Sequence, residues 1–174
     1  MVTQGWFVGI GSNLTPSTNI PLIMQLLLQD FSHIHTSASI QTPPMGMDSA
    51  NNFINLVIYL ESSLSEVALI DLLKNIEVRM GRPRDIKNRK LIDRTADLDP
   101  LCYIATPDKP ANELIIPTEA YLNGPFLELA IYLHFLPADT PLPSFTRLPM
   151  ANGLFGQKAT TIHRDGTPRH ERII

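Results

Sequence analysis

The 174-residue chain contains one cysteine, Cys102, and one tryptophan, Trp6. A lone cysteine excludes a disulfide scaffold. Long apolar runs are also missing. The longest, Pro21–Leu28, is interrupted by Gln25 and falls far short of the roughly 20 residues of a membrane span. The N-terminal stretch lacks the basic region of a secretory signal, so a soluble, cytoplasmic protein without a membrane partner is expected. Cationic charge is absent from residues 1–73, which hold no Lys or Arg.

The cations that do exist are concentrated. Arg79, Arg82, Arg84, Lys87, Arg89, Lys90 and Arg94 supply seven of the 14 Lys and Arg residues, in a chain of formal net charge −3. Such a cluster is either a solvated charged surface or a local anion site, with phosphate the natural ligand. The acidic remainder would repel a nucleic-acid backbone, so no nucleic-acid partner is expected. With 44 % hydrophobic residues, the chain can bury one core and is not intrinsically disordered.

Residue periodicity orders the elements. Trp6–Ile10 reads as a strand. Ser17 or Thr18 caps a helix to about Phe31 that carries Ile20, Ile23, Met24, Leu27 and Leu28 on one face. His35–Thr42 alternates as a second strand, followed by a rigid Pro43-Pro44 loop. Asn52–Leu60 is a third strand. The Ser63–Glu66 spacing suits a capping box for a helix ending at Met80. Ala96–Ile104 is a fourth strand, and Pro100 marks it as an edge. Pro125–Leu133 reads as a further helix. This βαββαβ order predicts an α+β, ferredoxin-like domain over residues 1–137, an antiparallel sheet with helices on one face. Residues 138–174, rich in Pro, Thr and Gly, are expected to form an irregular C-terminal extension.

The fold decides no function by itself; the residues narrow it. Asp97 and Asp99 lie two apart in a strand, so they share a face with Cα atoms about 7 Å apart. They are either two solvent-facing edge positions or ligands for Mg²⁺, which prefers hard oxygen donors and leaves room for phosphate oxygens. Their place after the basic segment favours the second reading, because metal ions and cationic side chains together neutralise a polyphosphate. Phe53 and Asn55 also share a strand face, and an aromatic beside an amide suits a flat heterocycle. Gly11-Ser12-Asn13 is a strand-to-helix turn without the Lys of a Walker loop. Cys102 reads as a small buried apolar residue. His33 and His35, two apart in sequence, read as structural or exposed.

Four segments stand in order: VGIGSNL (Val8–Leu14), QTPPMG (Gln41–Gly46), NFINLV (Asn52–Val57) and GRPR…RTADLDPLCY (Gly81–Tyr103). Together they resemble the 6-hydroxymethyl-7,8-dihydropterin pyrophosphokinases of folate biosynthesis, over about residues 5–136. The resemblance implies transfer of pyrophosphate from ATP to the pterin, giving AMP and the pterin diphosphate. It implies two Mg²⁺ ions held by Asp97 and Asp99. It implies a pterin site of Thr42, Pro43, Met45, Phe53, Asn55 and Phe126, with Phe53 and Phe126 stacking on the ring. Catalytic arginines would be Arg82, Arg84, Arg89 and Arg94. Nucleotide contacts would come from Glu77, Lys87, Lys90 and Thr118. A monomer acting on small molecules is expected.

The chain also departs from the family pattern. Its basic loop is about two residues longer and lacks a Trp. Thr118 and Gly124 stand where the family carries His and Arg, Pro100 replaces an apolar residue, and the tail is longer. Lys87 and Lys90 are the spare cations that would compensate. Two further readings stand beside the enzyme: a divergent paralogue that binds pterin or nucleotide with weak or different activity, and a non-catalytic interaction domain.

Overall fold

A computed structural model describes residues 2–82, 92–108, 110, 113–165 and 168–169. The elements run β1 (Gly5–Ser12), α1 (Pro16–Asp30), β2 (His33–Thr36), β3 (Ser39–Thr42), β4 (Phe53–Glu61), α2 (Glu66–Arg79), β5 (Asp97–Ile104), α3 (Ala120–Tyr132), β6 (Arg147–Leu148), β7 (Thr160–His163) and β8 (Pro168–Arg169). They form one 8-stranded sheet in the order β5-β1-β4-β2-β7-β8, with β3 also on β4 and β6 on β3. The four expected strands therefore take the ferredoxin-like order, and β5 is an edge as Pro100 suggested.

The helices occupy both faces, not one. Val8, Ile10, Leu56, Ile58 and Leu98 pack with α1 and α2 residues such as Ile20, Leu27, Leu69 and Leu73. Phe7, Val57, Tyr59, Cys102 and Ile104 pack with α3 residues Leu122, Phe126 and Leu129 on the other face. Nearly continuous apolar strands such as β4 make this necessary, because both of their faces must be covered.

Several element boundaries differ from expectation. Helix α1 starts at Pro16 with Thr15 as its N-cap, since Pro is favoured in a first turn. Its buried face is Ile20, Ile23, Met24, Leu27 and Leu28, as expected. The cap of α2 is Ser65, whose side chain accepts the Ala68 N–H, so Ser63 and Glu66 form no capping box. The second expected strand is broken. At the break, Ser37 Oγ accepts the Val57 N–H and Ala38 N–H donates to Glu128 Oε2 at 2.6 Å, so β2 and β3 are separate. Helix α3 begins five residues early and contains Pro125 in its second turn.

The expected irregular extension is corrected. β6 and β7 pair with β3 and β2, and Met150, Phe155 and Ile162 are buried in the core under α1. Arg147 pairs with Glu128, a carboxylate buried in α3. Sparse apolar residues were enough because each fills a gap in an existing core. Removing the Phe155 ring should therefore destabilise the whole domain. Phe155→Ala is expected to lower the unfolding free energy by about 3–5 kcal/mol in urea titrations. A loss within about 0.5 kcal/mol, typical of a surface position, would contradict this packing.

Candidate active site

The site grows from the register of three strands. In β1, Gly11 pairs with Asp97 of β5 and with Asn55 of β4, while Gly9 pairs with Asp99 and Val57. The row Asp97–Gly11–Asn55 thus places a carboxylate and an amide on either side of a residue with no side chain. A Cβ on Gly11 would come within 2.8 Å of Asn55 Oδ1, and one on Gly9 within 3.1 Å of Leu122. The two glycines leave the sheet surface concave where chemistry-bearing side chains meet.

A register shift between Phe7 and Val8 leaves Leu101 as an extra residue in β5. Such a bulge switches the faces of the residues beyond it. Here it lets Leu98 enter the core under α1 and α2 while Cys102 and Ile104 enter the core under α3. Asp97 and Asp99 consequently lie on the α3 face and line one small cavity with Gly9, Gly11, Asn55 and Tyr121.

A pocket of about 100 Å³ is lined by Thr42, Pro43, Met45, Met47, Phe53, Asn55, Arg94, Asp97 and Tyr121. Asn55 Nδ2 donates to Thr42 Oγ1 at 2.8 Å, which orients the amide. The Arg94 guanidinium lies over the Phe53 ring, 5.8 Å from its centroid. A larger cavity of about 680 Å³ adjoins it and shares Met45, Arg94 and Asp97. Its remaining polar lining includes Lys74, Glu77, Arg82 and Asp99.

Charge is arranged tightly here. Arg82 donates to Asp97 Oδ1 and Arg94 to Asp97 Oδ2, each at 2.6 Å. Glu77 pairs with Arg82 and accepts the Leu98 N–H at 2.9 Å, which ties α2 to β5. Asp99 is exposed at the rim. Desolvation first, then Asp97 and Glu77, push its carboxyl above the ordinary range. Three carboxylates this close make a natural seat for positive charge.

The Gly11-Ser12-Asn13 turn acts as a clasp. Asn13 Oδ1 accepts the Arg94 N–H at 2.8 Å, and the Arg94 carbonyl accepts the N–H groups of Asn13 and Leu14. Asp93 accepts from Asn13, Ser49 and Asn51. These hydrogen bonds, Ser49 foremost, hold its carboxyl below the ordinary range. Two loops, after β1 and between β3 and β4, are thereby fixed to the residue that precedes Arg94.

Most expected residues converge: Thr42, Pro43, Met45, Phe53, Asn55, Glu77, Arg82, Arg94, Asp97 and Asp99 line the two cavities. Phe126 does not. It is fully buried, with its ring 4.5 Å from that of Phe7. Tyr121 faces the pocket instead. Residues five apart on a helix differ by about 140°, so the two rings cannot share a side. Thr118 is exposed and lies just before α3; it lines neither cavity. A Cβ on Gly124 would meet the Phe145 ring at 2.7 Å, so the C-terminal segment covers the position where the resemblance would place an Arg. Arg84, Lys87, Arg89 and Lys90 lie outside the described residues. Tyr121, Met47 and Lys74 were missed. Lys74 stands one turn before Glu77 on α2, a spacing that could have revealed it.

Several known proteins are similar to the chain. The 2-amino-4-hydroxy-6-hydroxymethyldihydropteridine pyrophosphokinase of Haemophilus influenzae is 33 % identical over 101 residues, covering 56 % of this chain and 61 % of that protein. Its Bacillus subtilis counterpart is 30 % identical over 100 residues, covering 56 % and 58 %. The chain thus spans about three fifths of the length of these two relatives. The Porphyromonas gingivalis protein of the same name is 25 % identical over 145 residues, 79 % of this chain and 97 % of its own. Residues 7–132, which hold every strand and helix around the two cavities, match the family model of 7,8-dihydro-6-hydroxymethylpterin-pyrophosphokinase (HPPK), and the chain belongs to that family.

Proposed function

We propose that the chain transfers the terminal pyrophosphate of ATP to the hydroxymethyl oxygen of 6-hydroxymethyl-7,8-dihydropterin, releasing AMP, in folate biosynthesis. The observation that carries this reading is the joining of two unlike cavities through Arg94 and Asp97. The small one, with Phe53, Tyr121 and the oriented Asn55 amide, suits a flat ring with hydrogen-bonding edges. The large one, with Lys74, Arg82 and carboxylates, suits a polyphosphate.

In the reaction the pterin oxygen bonds to the β-phosphorus as the bond to the α,β-bridging oxygen breaks; the hydroxyl proton is released. Phe53 and Tyr121 hold the ring, and Asn55 fixes its rotation. Such alignment removes much of the entropic barrier. Asp97 and Asp99, with Glu77 adjacent, fit Mg²⁺: hard oxygen donors gathered at one cavity that also holds Lys74 and Arg82. Bound Mg²⁺ supplies charge neutralisation to the triphosphate. Arg82 and Arg94 exchange the Asp97 carboxylate for phosphate oxygens, which guanidinium groups bind well.

Asp97→Asn/Asp99→Asn should abolish Mg²⁺-dependent AMP release while the protein stays folded, with a lowered thermal midpoint because Arg82 and Arg94 lose their carboxylate partner. Near-normal turnover would remove the metal assignment. Tyr121→Leu should weaken pterin binding in calorimetry by about 0.5–1.5 kcal/mol beyond the lost contact area. Phe126→Ala should instead cost about 3–5 kcal/mol of stability; a folded Phe126→Ala protein with impaired pterin binding alone would reverse these assignments. Lys87→Ala/Lys90→Ala should lose more ATP affinity than Arg89→Ala, and ATP binding should fall with salt because exposed charges are screened over about 10 Å at 0.1 M. ATP titrations at two ionic strengths test this, and equal affinity for wild type and the lysine double variant would refute it.

A further inference from the structure

At the far end of β4 from Asn55, about 20 Å along the strand, two imidazoles meet a carboxylate. His33 and His35 share a face of β2, with ring centroids 5.0 Å apart. Glu61 ends β4 on the same face. His35 pairs with Tyr59, and continuing that register places His33 opposite Glu61. On the β1 side, Glu61 is opposite Gly5. One coordinating atom from each of the three side chains lies within 4.8 Å of the others.

The distances match the spacing of neighbouring ligands on one metal ion. Both Nε2 atoms converge on a single oxygen, Glu61 Oε1, His33 at 3.4 Å and His35 at 3.2 Å. Charge-assisted N–H···O bonds are shorter, about 2.7–2.9 Å. Zinc bonds to imidazole nitrogen and carboxylate oxygen are about 2.0–2.2 Å, and two such ligands at tetrahedral angles stand about 3.3–3.5 Å apart.

Each ligand also has an outer partner. Ser32 Oγ lies 2.9 Å from His33 Nδ1 and Thr161 Oγ1 lies 2.8 Å from His35 Nδ1. Tyr132 holds Thr161 in turn at 2.8 Å. Thr3 Oγ1 donates to Glu61 Oε2 at 2.7 Å. Hydroxyls at both Nδ1 atoms can accept from them, the tautomer that leaves each Nε2 lone pair for a metal. Oriented outer partners of this kind are the mark of histidine metal sites.

We propose that His33, His35 and Glu61 form a second metal site, for Zn²⁺ or a similar borderline divalent ion, clipping β2 to β4. Two imidazoles and one carboxylate suit such an ion, whereas Mg²⁺ prefers oxygen ligands. Three protein ligands leave one tetrahedral position for water. The site is independent of the pyrophosphokinase reading, since it shares no residue with the two cavities.

The test is Zn²⁺ calorimetry on chelator-treated full-length protein in excess Mg²⁺, with Co²⁺ absorption as a second readout of tetrahedral nitrogen ligation. One Zn²⁺ per chain should bind, and binding should persist in Asp97→Asn/Asp99→Asn and in His134→Ala. Thr161→Val should weaken it about ten- to a hundredfold, and His33→Ala and Glu61→Gln should weaken it further. Circular dichroism in chelator checks that each variant is folded, and the partly exposed His33 and the isosteric Thr161→Val guard against loss of fold. Absence of Zn²⁺ uptake by wild type, wild-type affinity in His33→Ala, or loss of uptake with Asp97 and Asp99 or with His134 would overturn the site.

Discussion

Strand β1 is hydrogen-bonded to β4 along its whole length and to β5 along nearly all of it, and each of its eight residues is buried. Its side chains therefore set what either face can hold. Trp6, Val8 and Ile10 feed the core beneath α1 and α2. On the other face Phe7 begins a second core, and Gly9 and Gly11 end it. Apolar packing stops where the side chains stop. The hollow that remains is where Asp97, Asp99 and Asn55 meet. Core and candidate site are two ends of one alternating strand.

Charge in that hollow is managed by pairing. Asp97 has a guanidinium on each oxygen, and Glu77 serves both Arg82 and the Leu98 N–H. These groups are half-buried, so an unpaired member would be costly. The same pairing keeps two arginines beside the place where phosphate is proposed to bind. Arg94 is also held through its backbone by Asn13. Its side chain can change partners while its Cα stays anchored.

Two distant segments of the chain are packed into one another. The C-terminal segment places Phe145 against Gly124 and Arg147 against Glu128. Glu128 in turn takes the Ala38 N–H at the break between β2 and β3, just upstream of the strand end and loop that supply Thr42, Pro43 and Met45. A small residue at position 124 and the C-terminal strands are thus parts of one packing solution. An arginine at 124 would have to displace the Phe145 ring.

Local sequence determined a great deal. The five-residue buried face of α1 follows from its spacing, and the edge position of β5 from Pro100. The pairing of Asp97 with Asp99, and of Phe53 with Asn55, follows from the period of a strand. What it left open depends on partners distant in the chain. Period two alone aligns Asp97 and Asp99 with Tyr103, yet Tyr103 packs with Trp6 on the opposite face; the bulge at Leu101 makes the difference and exists only against β1. Tyr121 and Phe126 are both aromatic and both helical, and only the docking of α3 decides which meets solvent. The tail looked irregular because its apolar residues are sparse, and they matter because α1, β2 and β3 leave gaps of their size. Strand and helix periods are properties of neighbouring residues, whereas which face is covered, and by what, is settled by contacts across the fold.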